Sequence, residues 1–290
     1  MNQLHRKRLL KELCTLGIGG PADYFCEVNS VEKMQEVIRY CDEEKLRFLI
    51  LGKGSNCLFD DRGYKGVVIL NKIDFCDQKE PGLFHVGGGF SFSLLGAKTA
   101  RQGWEGLEFA SGIPGTVGGA VFMNAGANGT ETYESLISVD FVDQHGELQI
   151  LRKDDLDFQY RYSSFHKKRG AIVGATFQLR HSPEAREKQL KIIEYRTETQ
   201  PYGDKSAGCI FRNPDQGHAG ALIEQCGLKG LKIGGAEVSP KHANFIVNRE
   251  EGTSQDFLNL ISEVQKQVKE KTGSHLESEV RVIPYQEDEY

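Results

Sequence analysis

The chain has 290 residues and a formal net charge of -5, with acidic and basic residues interspersed along it. This length suits more than one domain, and the charge pattern offers no basic field of the kind that nucleic-acid binding needs. The longest apolar runs, at residues 48–51 and 67–70, are far shorter than the roughly 20 residues that span a bilayer. We therefore expect a soluble protein that binds neither nucleic acid nor membrane.

The spacing of cysteine and histidine bears on redox state and metals. The seven cysteines are an odd number, are scattered from Cys14 to Cys226, and include no C-x-x-C pair, which favours reduced thiols. Residues 5–12 are rich in basic side chains but no apolar stretch follows them, so they do not resemble a secretory signal. The eight histidines lack the partner spacing of a zinc site. These features predict a cytoplasmic protein without a bound metal.

The first half of the chain predicts mixed helices and strands. Ser30 is an N-cap followed by apolar residues at helical spacing up to Cys41, which predicts an amphipathic helix. Short buried strands are predicted at 47–51 and 67–70, flanking that helix in a βαβ unit. Further strands are predicted at 139–142, 148–151 and 171–179, with a turn at 143–146. This part of the chain is therefore expected to form an α+β domain.

The second half begins with a charged stretch at 181–196 that is typical of a helix opening a new domain. Residues 253–256 resemble a capping box and precede apolar residues at helical spacing, and 280–283 is predicted to be a final strand. The acidic tail at 287–290 is expected to fray. We predict a first region at 1–182, with subdomains of about 1–70 and 71–182, and a second domain at 183–290. The last strand of the second domain is a candidate to return to the first region.

Glycine is concentrated in one part of the chain. Eight of the 33 glycines lie between Gly103 and Gly129, and a second cluster follows Leu51. Glycine leaves backbone N–H groups sterically open, as the pyrophosphate of a dinucleotide requires. Ordinary tight turns are the alternative, and the glycines alone leave it open.

Residues 17–22 fit a loose G-x-G-x-x-A pattern, but the strand and helix that should surround a Rossmann fingerprint are not predicted there. Residues 52–55 lack the upstream glycine of a phosphate-binding P-loop.

Several motifs together resemble those of one enzyme family. They are LGKGSNCL at 51–58, GIPGTVGGA at 112–120 and NAG at 124–126, joined in the family's order by GPAD at 20–23, YRYS at 160–163, GCIFRNP at 208–214, GLKG at 227–230, GG at 234–235, KHAN at 241–244 and ESEV at 277–280. With these motifs the chain resembles the UDP-N-acetylenolpyruvoylglucosamine reductases of bacterial cell-wall synthesis. The resemblance covers nearly the whole chain.

This resemblance implies a fold and a reaction. The fold is α+β, with a p-cresol-methylhydroxylase-like FAD-binding domain and a C-terminal α/β substrate-binding domain that closes over the sugar nucleotide. NADPH reduces FAD, and the reduced flavin delivers hydride to the enolpyruvyl ether of UDP-N-acetylglucosamine enolpyruvate, giving UDP-N-acetylmuramate for peptidoglycan. The absence of a long insertion between residues 182 and 205 resembles the subtype without an extra substrate-capping loop.

The resemblance also implies cofactor contacts along both glycine stretches. These are Gly52, Lys53, Gly54, Ser55, Asn56, Ser111, Gly112, Ile113, Pro114, Gly115, Thr116, Gly118, Gly119, Ala120, Asn124 and Gly126.

Three further positions match the catalytic residues of the family. Hydride addition to an enol ether beside a carboxylate builds negative charge, so the reaction needs a cation at the carboxylate and a proton donor. Arg161 matches the catalytic arginine, and Cys209 stands where most members have the proton-donating serine. A thiol, with an ordinary pKa of about 8.5, is a stronger acid than a hydroxyl and can donate this proton. It is also expected to be open to alkylation and oxidation. Glu279 matches the third residue, and Glu277, which faces the same side of a strand, is the rival.

Substrate contacts are implied at Tyr160, Arg212, Asn213, Lys241, His242 and Asn244. His242 alone would more often be a hydrogen-bonded structural histidine. Two other functions stay open: an FAD-dependent sugar or alcohol oxidase of the same broad fold, and a non-catalytic nucleotide-binding module in which Cys209 marks lost chemistry. We expect a monomer acting on a small molecule.

Overall fold

The computed structural model of the protein describes residues 5–286. Contacts between residues divide the chain into two units, and each of them is assembled from separated segments. The first unit contains Phe25–Gly52 and Gly66–Arg196, and the second contains His5–Tyr24, Lys53–Lys65 and the residues from Thr197 onwards. The division into domains expected from the sequence stays a prediction.

The helices of the described residues are six α-helices and five short 3-10 segments. The α-helices are α1 (Val31–Glu43), α2 (Phe92–Arg101), α3 (Val117–Met123), α4 (Ala185–Thr199), α5 (Ala219–Gln225) and α6 (Ser254–Thr272). The 3-10 segments are Leu10–Glu12, Glu108–Gly112, Thr132–Ser135, Lys153–Asp155 and Ser164–Lys167. No helix among these is long and apolar enough to cross a membrane.

The strands of the described residues are mostly short. In chain order they are β1 (His5–Arg6), β2 (Ala22–Val28), β3 (Phe48–Leu51), β4 (Cys57–Phe59), β5 (Tyr64–Asn71), β6 (Cys76–Glu80), β7 (Leu83–Gly87), β8 (Trp104–Glu105), β9 (Gly126–Ala127), β10 (Thr130–Glu131), β11 (Leu136–Asp143), β12 (Leu148–Arg152), β13 (Phe158–Gln159), β14 (Tyr162–Ser163), β15 (Gly170–Gln178), β16 (Arg180–His181), β17 (Ser206–Cys209), β18 (Lys232–Ile233), β19 (Ala236–Val238), β20 (Phe245–Asn248) and β21 (Arg281–Ile283).

The core of the first unit lies on a five-stranded sheet of order β12-β11-β15-β7-β6. Strand β15 is at its centre, pairs antiparallel with β11 and β7, and is almost wholly buried. Helices α2 and α3 bury residues such as Leu95 and Val121 in the same apolar core. Strands β3 and β5 form a separate parallel pair, from Phe48 opposite Val67 to Leu51 opposite Leu70.

Most elements predicted for this unit are confirmed. Helix α1 begins after Ser30, whose side-chain oxygen accepts a hydrogen bond from the Lys33 N–H at 3.2 Å. Strands β5, β11 and β12 include the predicted segments, β3 begins one residue later than predicted, at Phe48, and β15 ends one residue earlier, at Gln178. The turn after Asp143 closes with a hydrogen bond of 3.0 Å from the Gly146 N–H to the Asp143 carbonyl, and Gly146 adopts a φ of +79°.

The predicted βαβ unit is wrong in one respect. Strands β3 and β5 both follow α1, and the strand before the helix is β2, which the pattern did not reveal. Strand β2 buries the adjacent residues Phe25 and Cys26, so its apolar residues do not alternate as in a half-buried strand. Because β2 directly follows Pro21, residues 17–22 are followed by a strand, and the rejection of a Rossmann fingerprint there is confirmed.

The second unit is built on a four-stranded antiparallel sheet of order β17-β20-β19-β18. Helices α5 and α6 contribute buried residues such as Ile223 and Leu260 to its core. The predicted final strand is confirmed as β21, which pairs in parallel with β4, so that Arg281 lies opposite Cys57. The predicted tail at 287–290 lies outside the described residues.

The predicted capping box at the start of α6 is confirmed. The Thr253 hydroxyl accepts a hydrogen bond from the Asp256 N–H at 3.1 Å, and the Asp256 carboxylate accepts one from the Thr253 N–H at 2.9 Å. Helix α6 ends at Thr272. Gly273 follows as its C-cap with a φ of +76°, the left-handed conformation that commonly closes the last turn of a helix. The charged stretch at 181–196 also forms a helix, but α4 begins only at Ala185.

The capping box predicts a measurable effect on stability. Replacing Thr253 by Ala removes one hydrogen bond to the first turn of α6, and loss of such a cap costs about 1 kcal/mol. We expect the free energy of unfolding in urea to fall by about that amount. Ser262→Ala removes an exposed hydroxyl from the same helix and serves as the control. An equal loss of stability in both variants would contradict a specific role of the cap.

Candidate active site

The two glycine stretches approach each other at Gly52 and Thr116 in the first unit. A Cβ atom at Gly52 would lie 2.5 Å from the Thr116 Oγ1 atom, so any larger residue at the end of β3 would collide with α3. Thr116 is the N-cap of α3 and accepts a hydrogen bond from the Gly119 N–H at 3.3 Å. The lack of a side chain at Gly52 is therefore required by packing.

The first amides of α3 already have partners inside the protein. The Val117 N–H donates to the Phe90 carbonyl at 2.9 Å, and the Gly118 N–H donates to the Gly88 carbonyl at 2.8 Å. Together with the Gly119 N–H, they do not present the open helix N-terminus that a phosphate group usually occupies. An anionic ligand at this stretch needs other donors.

Two such donors are buried beside Gly112. The Arg196 Nε and Ser111 Oγ atoms are buried and have no hydrogen-bond partner among residues 5–286. A Cβ atom at Gly112 would overlap the Arg196 Cδ atom and lie 2.5 Å from its Nε atom, so the arginine lies directly against the glycine. An unsatisfied buried polar group costs about 1–3 kcal/mol, which indicates that a ligand completes this site. Sequence reasoning missed Arg196, because the charged stretch around it resembles a solvated helix face.

The loop at 53–56, which belongs to the second unit, is shaped by close backbone contacts. Gly54 has a φ of +60°, and a Cβ atom there would lie 2.5 Å from the Leu13 carbonyl oxygen. The Asn56 side-chain amide donates a hydrogen bond to the Glu279 carbonyl at 3.2 Å. Asn56, predicted to contact the cofactor, thus also holds the segment that carries Glu279.

Arg161 lies in a strained turn of the first unit. It connects β13 to β14 with a φ of +57°, a conformation that costs a non-glycine residue roughly 1–2 kcal/mol. Its Nη2 atom donates a hydrogen bond to the Gly126 carbonyl at 3.0 Å, and its guanidinium lies 4.8 Å from the centre of the Tyr160 ring. Backbone strain of this kind persists where the surroundings enforce it and often marks a functional site.

Asn124 helps to enforce that turn. It is fully buried, and its side-chain amide donates to the Gln159 carbonyl at 3.0 Å and to the Glu131 carboxylate at 2.8 Å. Its side-chain oxygen accepts a hydrogen bond from the Tyr133 N–H at 3.1 Å. The side chain of Asn124, predicted to contact the cofactor, is therefore engaged within the protein.

Cys209 and Glu279 lie on neighbouring segments of the second unit. Cys209 ends β17 and is partly buried, as is Glu279. The Glu279 N–H donates a hydrogen bond to the Ile210 carbonyl at 2.7 Å, and Phe211 lies opposite Ser278 in an antiparallel bridge. The segments that contain the two predicted catalytic residues are therefore bonded to each other. Glu277 is two-thirds exposed, and its carboxylate lies 3.9 Å from the Arg212 guanidinium. The choice of Glu279 over Glu277 stays a prediction.

The predicted substrate contacts lie in both units. Tyr160, in the first unit, is 43% exposed and is accessible to a ligand. In the second unit, the Asn213 side-chain oxygen accepts a hydrogen bond from the Ala219 N–H at 3.0 Å, at the start of α5. The Lys241 ammonium donates to the Thr197 carbonyl at 2.8 Å, and the His242 Nδ1 atom accepts a hydrogen bond from the Asn244 N–H at 3.2 Å. Their roles towards a substrate stay predictions.

No group of three histidine, cysteine or acidic side chains is placed to hold a metal ion in the described part of the chain.

Comparison with known proteins identifies two parts of the chain. A family model described as an FAD binding domain matches residues 22–152. A second, described as the C-terminal domain of UDP-N-acetylenolpyruvoylglucosamine reductase, matches residues 200–283. An FAD-binding domain followed by this C-terminal domain defines a flavin-dependent reductase, and the predicted fold class is confirmed.

Individual relatives extend the match over the whole chain. A UDP-N-acetylenolpyruvoylglucosamine reductase from Protochlamydia amoebophila is 62% identical over 284 residues, which are 98% of this chain and 95% of that protein. One from Chlamydia trachomatis is 49% identical over 276 residues, 95% of this chain and 94% of that protein. The crystal structure of UDP-N-acetylenolpyruvylglucosamine reductase from Thermus caldophilus is 35% identical, covers 97% of this chain and 99% of its own, and has a TM-score of 0.83. The chain belongs to the UDP-N-acetylenolpyruvoylglucosamine reductase family, as its motifs predicted.

The cysteines are expected to differ sharply in reactivity. Burial raises the pKa of Cys26 to about 12 and that of Cys41 to about 11, so few of these thiols are ionised at pH 8, and both are almost inaccessible. Cys209 is only partly buried. With limiting iodoacetamide at pH 8, we expect mass spectrometry to find alkylation first at Cys209 and last at Cys26 and Cys41. Unfolding in urea should abolish the difference; equal labelling of Cys26 and Cys209 in the folded protein would contradict it.

Proposed function

We propose that this chain catalyses the FAD-dependent reduction of UDP-N-acetylenolpyruvoylglucosamine to UDP-N-acetylmuramate, with NADPH as the reductant, in peptidoglycan synthesis. The observation that carries the proposal is the hydrogen bond from the Glu279 N–H to the Ile210 carbonyl, which joins the segment that follows Cys209 to the segment that contains Glu279. Both segments belong to the part of the chain that matches the reductase C-terminal domain. A thiol and a carboxyl group on joined segments suit the transfer of a proton to a developing carbanion.

The first unit contains groups that fit FAD. The unsatisfied Ser111 hydroxyl and Arg196 guanidinium nitrogen lie next to Gly112, whose missing side chain leaves room for them. A guanidinium suits the phosphate oxygens of a dinucleotide. When bound, FAD supplies the hydride that the reaction adds to the substrate.

Arg161 is proposed to bind the carboxylate of the enolpyruvyl group. A guanidinium can donate two parallel hydrogen bonds to a carboxylate, and its positive charge stabilises the negative charge that develops there when hydride is added. The turn that holds Arg161 is enforced by its own bond to Gly126 and by Asn124. The guanidinium is therefore oriented before the substrate arrives, which lowers the cost of ordering it.

Cys209 is proposed to supply the proton. As hydride is added to one carbon of the enol ether, the Cys209 Sγ–H bond breaks and its proton is added to the other carbon, which lies next to the carboxylate. The thiolate left behind is later reprotonated from solvent. Glu279 is proposed to act at the substrate carboxylate and to assist this proton transfer.

The remaining assignments are also part of the proposal. Tyr160, Arg212, Asn213, Lys241 and His242 are proposed to contact the UDP-sugar. A cytoplasmic monomer is proposed; its location is supported by the odd number of cysteines without C-x-x-C spacing, which favours a reducing compartment.

The two half-reactions test the proposed function directly. We expect the purified protein to be yellow, to lose its flavin absorbance when NADPH is added anaerobically, and to regain it when UDP-N-acetylenolpyruvoylglucosamine is added. The measurement is the absorbance at the flavin maximum in a stopped-flow instrument. Rapid reoxidation by oxygen but not by this substrate would instead indicate an oxidase, and a colourless protein that binds no FAD would indicate a non-catalytic module.

Substitution of Cys209 tests the proton donor. Cys209→Ala removes the acid, so reoxidation of the reduced flavin by substrate should slow by about 10²–10⁴-fold, while its reduction by NADPH stays unchanged. Cys209→Ser restores an O–H donor and should retain substantial activity. Cys226→Ala alters a buried cysteine of the same unit that is not part of the predicted site and is the control. Near-normal turnover of Cys209→Ala would rule out this role.

A further inference from the structure

Asn244 is buried directly beside the segment that follows Cys209. It is 4% exposed and immediately precedes β20. Its side-chain amide donates a hydrogen bond to the Phe211 carbonyl at 2.9 Å, and its side-chain oxygen accepts one from the Phe211 N–H at 3.0 Å. The asparagine side chain thus pairs with both backbone groups of one residue, as a strand would.

These bonds continue a strand ladder that would otherwise end at Cys209. Strand β17 pairs with β20 as far as Cys209 opposite Phe245, with an irregular register after Ser206. One residue further, the Ile210 N–H donates to the Asn244 backbone carbonyl at 2.8 Å. The Asn244 side chain then takes over the pairing at Phe211. The segment after Cys209 is consequently held along this edge by a single residue.

The opposite edge of the same segment is held by residues 277–279, which precede β21. The Glu279 N–H donates to the Ile210 carbonyl at 2.7 Å, and the Arg212 N–H donates to the Glu277 carbonyl at 2.9 Å. Residues 210–212 are therefore bonded on both sides. Without the bonds of the Asn244 side chain, Phe211 would be held only on the edge that faces residues 277–279, and Cys209, two residues before it, would be less firmly positioned.

We propose that Asn244 is a positioning residue that fixes the Cys209 thiol relative to Glu279 for proton transfer. This role rests on the proposed function and differs from the substrate contact that the KHAN motif implied. Because Asn244 is buried and its amide is used by Phe211, it acts through the backbone and not on the ligand. Misplacement of a reacting group by about 1 Å can cost about a hundredfold in rate.

Asn248, the last residue of β20, offers a matched control in the same unit. It is 9% exposed, its side-chain amide donates to the Leu16 carbonyl at 3.0 Å, and its side-chain oxygen accepts a hydrogen bond from the Gly252 N–H at 2.8 Å. Its side chain therefore makes the same two kinds of bond as that of Asn244, but to segments that carry none of the proposed catalytic residues.

The test compares Asn244→Asp with Asn248→Asp. In each variant the carboxylate still accepts from the backbone N–H but has no N–H to donate to the facing carbonyl, so both should lower the Tm. Only Asn244→Asp should slow reoxidation of the reduced flavin by the enolpyruvyl substrate, by tenfold to a hundredfold in the limiting rate. Flavin reduction by NADPH should be unchanged in both. Asn244→Ala, which introduces no charge, is the second variant should Asn244→Asp fail to fold.

A second measurement separates this proposal from the proposed function. The rate of Cys209 alkylation by iodoacetamide, followed by mass spectrometry across a range of pH, requires no substrate and reports the surroundings of the thiol. We expect its rate or pH profile to change in both Asn244 variants and to match the wild type in Asn248→Asp. If the wild type is not reoxidised by the substrate, the proposed function fails, but the alkylation profile still tests the positioning role. In that case, alkylation of Cys209 in the Asn244 variants at the wild-type rate and with the wild-type pH profile would overturn the positioning role. In an active enzyme, wild-type alkylation together with wild-type reoxidation of the flavin would overturn it.

Discussion

The hydrogen bond from the Glu279 N–H to the Ile210 carbonyl is the contact on which the catalytic part of the second unit depends. It joins residues that lie about seventy positions apart in the sequence. Immediately after Glu279, the chain pairs with β4, and the Asn56 side chain holds the Glu279 carbonyl. Three segments from distant parts of the sequence thus support one short backbone, so the segments that contain the proposed acid and the proposed carboxyl group are fixed by backbone contacts.

The first unit orients Arg161 by a similar physical means. A buried asparagine, Asn124, ends α3 in a left-handed conformation and uses its amide to hold the carbonyl of Gln159, directly before the turn. The turn itself is strained at Arg161. The energy that this strain costs is offset by the hydrogen bonds around it, so the guanidinium is oriented in advance. In both units, buried amides act on the backbone of a functional segment, while the functional side chain stays accessible.

The motifs predicted contact residues, and the structure shows what several of their side chains and amides bind within the protein. LGKGSNCL and GIPGTVGGA are close in space at Gly52 and Thr116, but several amides of the second motif are used inside the protein, and Arg196 beside Gly112 belongs to no motif. Asn56, Asn124 and Asn244 were all expected to contact a ligand, yet each has its side chain hydrogen-bonded to backbone groups. A motif records that a residue type is needed at a position; whether it is needed for binding or for positioning depends on contacts that the motif does not contain.

The sequence alone determined the elements whose signals are local. The capping box before α6, the N-cap at Ser30 and the turn after Asp143 depend on hydrogen bonds within a few residues, and the family was evident from motifs that remain in order along the chain. The tertiary structure alone decided the order of strands around α1, the pairing of β21 with β4, the location of Arg196 beside Gly112 and the hydrogen bonds between the Asn244 side chain and Phe211. These features depend on contacts between residues far apart in the chain, and no periodicity or spacing within one segment specifies which distant backbone will lie beside it.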